Sequence, residues 1–288
     1  MKLNDLKIKY IIRKMDTGQS TRQVARDIKI SHERVRQIYN QYKRTGDIPV
    51  LQSVGRPKKQ LTETEINLIL NSFLKYKVSA SWLRKIIKHE NNININHNKI
   101  HEVLLINNMA KIIRKRTRKK DWIRYERDHS LTAVHLDWMY DEKIGKYIIA
   151  VIDDASRMIL AYGEFEHATA ENSIFILKEA LKYGDIKEVI TDRGPQFTAN
   201  KFDSKGNAYS QFGEFCKANE IKQILCRVKH PQSNGKIERW FGLYRQKRKF
   251  FNSLQEFVYW YNHIKPHMSL NFEYLETPAQ AFRRKFKY

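Results

Sequence analysis

The sequence predicts an α/β domain with a mixed sheet flanked by helices, preceded by two all-α helix-turn-helix domains. Apolar residues recur at helical spacing up to about residue 110 and at strand spacing from Leu131 onward. From there the elements run strand-strand-strand-helix-strand-helix-strand-helix, an order that builds a mixed sheet with helices on its faces. Charge divides the chain at nearly the same place. Residues 1–120 carry 28 Lys+Arg against 9 Asp+Glu, and residues 121–288 carry 26 against 22. The front is therefore suited to a polyanion.

A chain of 288 residues allows about two ordinary domains or one large domain with an appendage. A hydrophobic content of 41% makes it globular rather than disordered. Cys216 and Cys226 are the only cysteines. They exclude a disulfide framework and a Cys-x-x-Cys zinc pair, and both are expected to be buried small apolar residues. No apolar run approaches the roughly 20 residues of a membrane span, and no signal-peptide core is present. A reducing, cytoplasmic location is expected.

Asp5 to Met15 places Leu6, Ile8, Tyr10, Ile11, Ile12 and Met15 at roughly helical spacing until Gly18 breaks the run. Ser20 and Thr21 open a second helix with Val24, Ala25 and Ile28 on one side. Ser31 caps a third, in which Val35, Ile38, Tyr39 and Tyr42 face inward. Three short helices with a tight turn before the last read as a helix-turn-helix over residues 1–48. His32, Glu33, Arg36 and Gln37 then lie on the face offered to a major groove. A small bundle that binds protein fits the same pattern, but the surrounding cations favour DNA.

Residues 49–61 hold Gly55-Arg56-Pro57-Lys58-Lys59, a linker signal. Arg56, Lys58 and Lys59 can follow a narrow minor groove or simply be solvated. Residues 62–110 repeat the helical pattern, with starts at Thr62 or Thr64, at Ser79 and near Asn96, and predict a second helix-turn-helix, winged or plain. His97 and His101 stand four apart but lack acidic or cysteine partners nearby in sequence, and are read as surface residues. In the basic linker 111–128, Lys111, Arg114, Lys115, Arg116, Arg118, Lys119 and Lys120 are placed to lie along phosphates.

In residues 129–288, Leu131 to Met139 alternates Val134, Leu136 and Trp138 against His135, Asp137 and Met139, so Asp137 points away from the apolar face. Strands over Lys146–Ile152 and Met158–Tyr162 follow. Asp153 and Asp154 join them, and turn hydrogen bonding is the expected role of this pair rather than metal ligation. A helix over Thr169–Tyr183, stopped by Gly184, leads to a short buried strand, Glu188–Thr191, ending at Asp192. Phe212–Asn219 reads as helix, Ile221–Leu225 as strand, and Gln232–Phe250 as a long helix carrying Glu238, with Trp240, Phe241 and Tyr244 as packing groups. Asp137, Asp192 and Glu238 thus sit on three separate elements that can converge on a pair of Mg²⁺ ions, because carboxylate oxygens suit that hard cation.

Three stretches carry a resemblance: His135-Leu136-Asp137-Trp138, Thr191-Asp192-Arg193-Gly194 with Gln196-Phe197, and His230-Pro231-Gln232-Ser233-Asn234-Gly235-Lys236-Ile237-Glu238-Arg239. Together they resemble the integrase catalytic core shared by DDE-class insertion-sequence transposases and retroviral integrases. Tyr261-Asn262, Lys265-Pro266-His267 with Ser269-Leu270, and Thr277-Pro278 with Phe282 fit the transposase pattern downstream. The resemblance covers residues 131–282 or so and implies an RNase H-like fold.

It also implies that Asp137 bridges two Mg²⁺ ions, Mn²⁺ being able to substitute, while Asp192 and Glu238 hold one each. The implied activity is phosphodiester hydrolysis followed by attack of the freed 3′-hydroxyl on target DNA. Implied partners are double-stranded DNA, as the element's terminal inverted repeats and as target, and further copies of the chain in a synaptic dimer or higher assembly. Between Asp192 and Glu238 lie 45 residues, a longer separation than is usual in that family. The surplus is assigned to the polar stretch 202–210, which can bulge outward. Gly235 leaves room for a DNA backbone, and Lys236, Arg239, Arg245 and Lys249 are expected phosphate contacts. Two readings compete with a transposase: a catalytically idle, transposase-derived DNA-binding regulator, and a plain RNase H-type nuclease.

Overall fold

Each helix of the front unit begins where a side chain can cap it. In this computed structural model, which describes residues 3–51, 60–111, 126–198, 201, 202, 204, 206, 208–226 and 234–287, Met1–Gln60 and Leu61–Tyr288 are two compact units. In the first, Asn4, Ser20 and Ser31 accept from Lys7 N, Gln23 N and Arg34 N at the starts of α1 (Asp5–Asp16), α2 (Thr21–Ile28) and α3 (His32–Thr45). Lys29 takes the left-handed conformation (φ 55°) that turns the chain from α2 toward α3. Ile8, Ile11, Val24 and Val35 are fully buried between the helices. Tyr39 and Tyr42, expected to face inward, are only half-buried.

The second unit opens with three more helices, α4 (Glu63–Tyr76), α5 (Ala80–Asn91) and α6 (His97–Ile106). Thr62 and Glu65 form a reciprocal capping box at the start of α4. No strand accompanies these helices among the described residues. Their core of Ile69, Leu83, Ile86, Ile87 and Ile100 extends onto Phe250, Ile264 and Leu275 from the end of the chain. Trp260 Nε1 donates to Tyr76 O at 3.2 Å, and Phe73 meets Phe250 edge-on at 6.2 Å. The helices are thereby joined to the C-terminal part of the same unit.

The sheet is built from β1 (Ala133–Asp141), β2 (Lys146–Asp153), β3 (Ile159–Phe165), β4 (Glu188–Thr191) and β7 (Lys222–Leu225), in the order β3-β2-β1-β4-β7. β1 pairs antiparallel with β2 and parallel with β4, which pairs parallel with β7. This mixed five-stranded sheet flanked by helices is the RNase H-like architecture. The remaining strands, β5 (Lys201–Phe202) and β6 (Ala208–Tyr209), form a hairpin outside the main sheet, in the stretch assigned to the surplus before Glu238.

Both faces of the sheet are covered, whereas alternation predicts a single apolar face. Val134, Leu136, Ile149 and Val151 pack on α7 (Ala170–Leu181) and α8 (Gln211–Ala218), with α11 (Pro278–Lys285) closing that layer. Met139, Ile148, Ala150 and Ile152 pack on Ile237, Trp240, Phe241 and Tyr244 of α9 (Gly235–Lys247) and on α10 (Leu254–Tyr259). A single π-helical turn, Trp260–Ile264, follows α10, and there Asn262 pairs through its side-chain amide with both backbone groups of Ile159. Among the cysteines, Cys216 is buried, with its thiol pushed up to about 12 by burial, but Cys226 is half-exposed.

Candidate active site

The face of β1 that carries Asp137 lies under α9. Asp137 stands opposite Ala150 in the β1–β2 register, a small neighbour that leaves the carboxylate space, and two residues from His135 on the same face. β4 runs parallel beside β1 and delivers Asp192 just past its end. Glu238 occupies the first turn of α9, where the helix dipole favours a negative charge. Three separate elements therefore bring these carboxylates to one region.

Their proximity registers electrostatically. Burial, chiefly, pushes the Asp137 carboxyl up to about 7; a hydrogen bond from Trp138 N opposes this, and the charges of Asp192 and Glu238 add to it. Asn234 Nδ2 donates to Asp137 Oδ2 at 2.8 Å, and Gly194 N donates to Asp192 Oδ1 at 2.8 Å. Asn234 holds the N-cap position of α9, yet its side chain makes no cap bond and turns to Asp137 instead. Its Oδ1 is buried without a hydrogen-bond partner among the described residues. As they stand, no three His, Cys, Asp or Glu side chains among the described residues enclose a metal position. The donor set nevertheless fits a hard divalent cation: like charges crowd one another, and an orphaned amide oxygen lies beside them.

The turn after β2 is a polar hub beneath this region. Asp153 accepts from Leu131 N, Ser156 N and Ser156 Oγ, as its turn role requires. Asp154 does more than shape a turn. It accepts from Arg127 N, pairs with His135 Nε2 at 2.8 Å and binds Lys236 Nζ. Burial alone would raise its carboxyl, but the hydrogen bonds from His135 and Lys236 hold it well below the usual carboxylate range. Lys236, expected to contact phosphate, points inward to Asp154 instead, and burial lowers its ammonium to about 8. The same turn anchors the end of the chain, with Arg157 bound to Glu126 and Lys285 bound to Glu126 and Ala155 O.

Of the other expected contacts, Arg239 and Arg245 are exposed on α9, and His32, Arg36 and Gln37 are exposed on α3, where Arg36 also pairs with Glu33 at 2.8 Å. Arg56, Lys58, Lys59, Arg114, Lys115, Arg116, Arg118, Lys119 and Lys120 lie outside the described residues. Sequence reasoning does not single out Asn234, Asp154 or His135 as site residues. The usable signal is the position of Asn234, one turn before Glu238 on the same helix.

Residues 127–231 match the integrase core domain family. The chain belongs to the integrase core superfamily. It is 29% identical over 147 residues to "Putative integrase ORF3" of Spiroplasma virus SpV1-C74, a match that covers 44% of this chain and 40% of the viral protein. The chain thus spans less than half the length of that relative. It is 32% identical over 100 residues to an uncharacterised protein of Archaeoglobus fulgidus, covering 35% of this chain and 76% of that one. Among solved structures it is similar to the catalytic core domain of BIV integrase, at 16% identity and a TM-score of 0.41, covering 53% of this chain and 94% of that one. It is also similar to the HTLV-2 integrase catalytic core domain in complex with magnesium, at 17% identity and a TM-score of 0.41, covering 54% of this chain and 97% of that one. No described helix is long and apolar enough to cross a membrane.

Proposed function

We propose that the integrase core of this chain is that of a DNA transposase, which binds the ends of a mobile element, nicks them and joins them to target DNA. The observation that carries this reading is that β1, the end of β4 and the first turn of α9 carry Asp137, Asp192 and Glu238, with Asn234 holding the first of them and Gly194 N the second. Three acidic groups kept near one another at a cost are most simply explained by a cation that repays it. Asp137, Asp192 and Glu238 would hold two Mg²⁺ ions, or Mn²⁺ in their place, and the ions would supply Lewis-acid stabilisation of the attacking and leaving oxygens.

The chain's own residues orient this centre. Asn234 fixes one Asp137 oxygen, Trp138 N the other, and Gly194 N one oxygen of Asp192. In the first step water oxygen bonds to phosphorus and the P–O3′ bond breaks, releasing a 3′-hydroxyl and a 5′-phosphate. In the second that hydroxyl attacks a target phosphodiester, forming one P–O bond as another breaks. Exposed Arg239 and Arg245 beside Glu238, and His32, Arg36 and Gln37 on α3, are the proposed DNA contacts. DNA, cytoplasmic and nucleoid-borne, and further copies of the chain in a synaptic assembly are the proposed partners.

The test uses duplexes carrying the DNA that flanks the protein's own reading frame, incubated with Mg²⁺ and a supercoiled plasmid. Covalent joining of the duplex 3′ ends to plasmid is expected. Tight binding of those flanks without nicking or joining would favour the idle regulator, and cutting of RNA–DNA hybrids alone would favour a plain nuclease.

A further inference from the structure

Asp154 is fully buried, and the turn in which it lies does not need its side chain. Asp153 accepts the bonds that close that turn, from Ser156 N and Ser156 Oγ. The partners of the Asp154 carboxylate are distant instead, lying 19, 27 and 82 positions away. Its Oδ1 pairs with His135 Nε2 at 2.8 Å and accepts from Lys236 Nζ, while Oδ2 accepts from Arg127 N at 2.7 Å. The backbone N of Asp154 also donates to Ala133 O at 3.0 Å, which fixes the residue to the start of β1.

Two of these partners stand beside the site. His135 comes two positions before Asp137 on the face of β1 that lies under α9, and Lys236 comes two positions before Glu238 in the first turn of α9. Asp154 therefore joins the strand of one carboxylate to the helical turn of another. Arg127 extends the link to β4, because its guanidinium binds Glu188 on the strand that leads to Asp192.

Asn234 holds Asp137 from the same helix start at 2.8 Å, so the first turn of α9 rests on the sheet at two polar points, with Ile237 fully buried after them. At 3.6 residues per turn, Lys236 and Glu238 lie about 200° apart around the helix. The anchored side faces the sheet and Glu238 is exposed, so any roll of the turn about its axis carries the Glu238 carboxylate with it. An apolar contact alone would hold the helix down without fixing that roll, whereas a buried carboxylate and its donors are all satisfied in one arrangement.

We propose that Asp154 is a positioning residue for the candidate metal centre: by holding His135 and Lys236 together it fixes the first turn of α9 against β1, and so sets where Glu238 stands relative to Asp137. The inference rests on the reading of Asp137, Asp192 and Glu238 as ligands of divalent ions. The oxygens of Asp154 are engaged by His135, Lys236 and Arg127 N, so it acts through these neighbours rather than on an ion.

The test is Mn²⁺ binding to the full chain without DNA, read from loss of the free-ion electron paramagnetic resonance signal, with nicking of element-end duplexes measured beside it. Asp154→Asn and Lys236→Met are each expected to weaken Mn²⁺ binding by about 10–100-fold, the range for losing a group that orients a metal ligand. The double variant is expected to lose no more than the worse of the two, because both act through one tether. Tyr244→Phe controls for destabilisation alone. It removes the bond from Tyr244 Oη to Asp141 Oδ2 that ties the other end of α9 to β1, and its Mn²⁺ affinity is expected to stay at the wild-type level. Unchanged affinity in Asp154→Asn and Lys236→Met, an equal loss in Tyr244→Phe, or losses that multiply in the double variant overturn the proposal. If circular dichroism finds Asp154→Asn unfolded, Lys236→Met, which leaves Asp154 paired with His135, decides alone by the same loss. Wild type that binds Mn²⁺ but nicks no element end counts against the transposase reading alone, since the variants' loss of binding is still read; wild type that binds no Mn²⁺ overturns both.

Discussion

Replacing Asp137 with asparagine is expected to make the metal-free protein more stable, and the structure sets the size and the pH window of the gain. Burial, chiefly, pushes the Asp137 carboxyl up to about 7 in the folded chain, against an ordinary value of 3.8. A raised folded value means that the native state holds the proton more tightly than the unfolded chain. Stability from that proton is fully present below about pH 3.9 and is lost as pH rises through 7. A rise of about three pH units, at about 1.4 kcal/mol per unit, puts the loss near 4 kcal/mol. Asparagine keeps the shape, can accept from Trp138 N and carries no charge, so Asp137→Asn escapes the loss.

Scanning calorimetry in chelator is the assay. At pH 8 the variant's larger unit, Leu61–Tyr288, is expected to melt on the order of 10 °C above wild type, and near pH 4 the two should coincide. Adding Mg²⁺ should raise the wild-type midpoint and leave the variant's in place, since only a native state with its ligands intact gains from binding. A variant no more stable than wild type at pH 8, or a gap that does not change with pH, would refute the raised Asp137 carboxyl and the burial that chiefly causes it.

Asp154→Ala should cost about 3–5 kcal/mol in urea unfolding, because buried His135 and half-buried Lys236 lose the carboxylate they share, while Asp154→Asn loses less. Ser31→Ala removes the cap of α3 and should cost about 1 kcal/mol, visible as faster hydrogen exchange at the Arg34 amide. Gly163→Ala would set a Cβ 2.6 Å from Phe165 Cε2 and 2.9 Å from Ile176 Cδ1, and overpacking there should cost about 1–3 kcal/mol in the same unfolding measurement.

Local pattern made the strands and caps legible. Period-2 alternation around Asp137, the strand Glu188–Thr191 and the capping residues Ser20, Ser31 and Asn96 all read directly from short windows. The second apolar face did not follow from β1 alone. The unbroken run Ile148-Ile149-Ala150-Val151-Ile152 in β2 carried that signal, since a strand buried on both faces loses its alternation. Lys236 turned inward because its partner Asp154 lies 82 positions earlier, beyond the reach of any spacing rule. The joint that holds α4 against the C-terminal helices is likewise non-local: Trp260 and Tyr76 are 184 positions apart.

Metal-dependent nicking of element-end duplexes by Asp137→Asn, Asp192→Asn and Glu238→Gln, each measured beside its DNA affinity, probes the three carboxylates most directly. Each substitution is expected to abolish nicking in Mg²⁺ and in Mn²⁺ while binding persists at the wild-type level. Nicking at a substantial fraction of the wild-type rate by any one of the three would contradict the assignment of a shared two-metal centre.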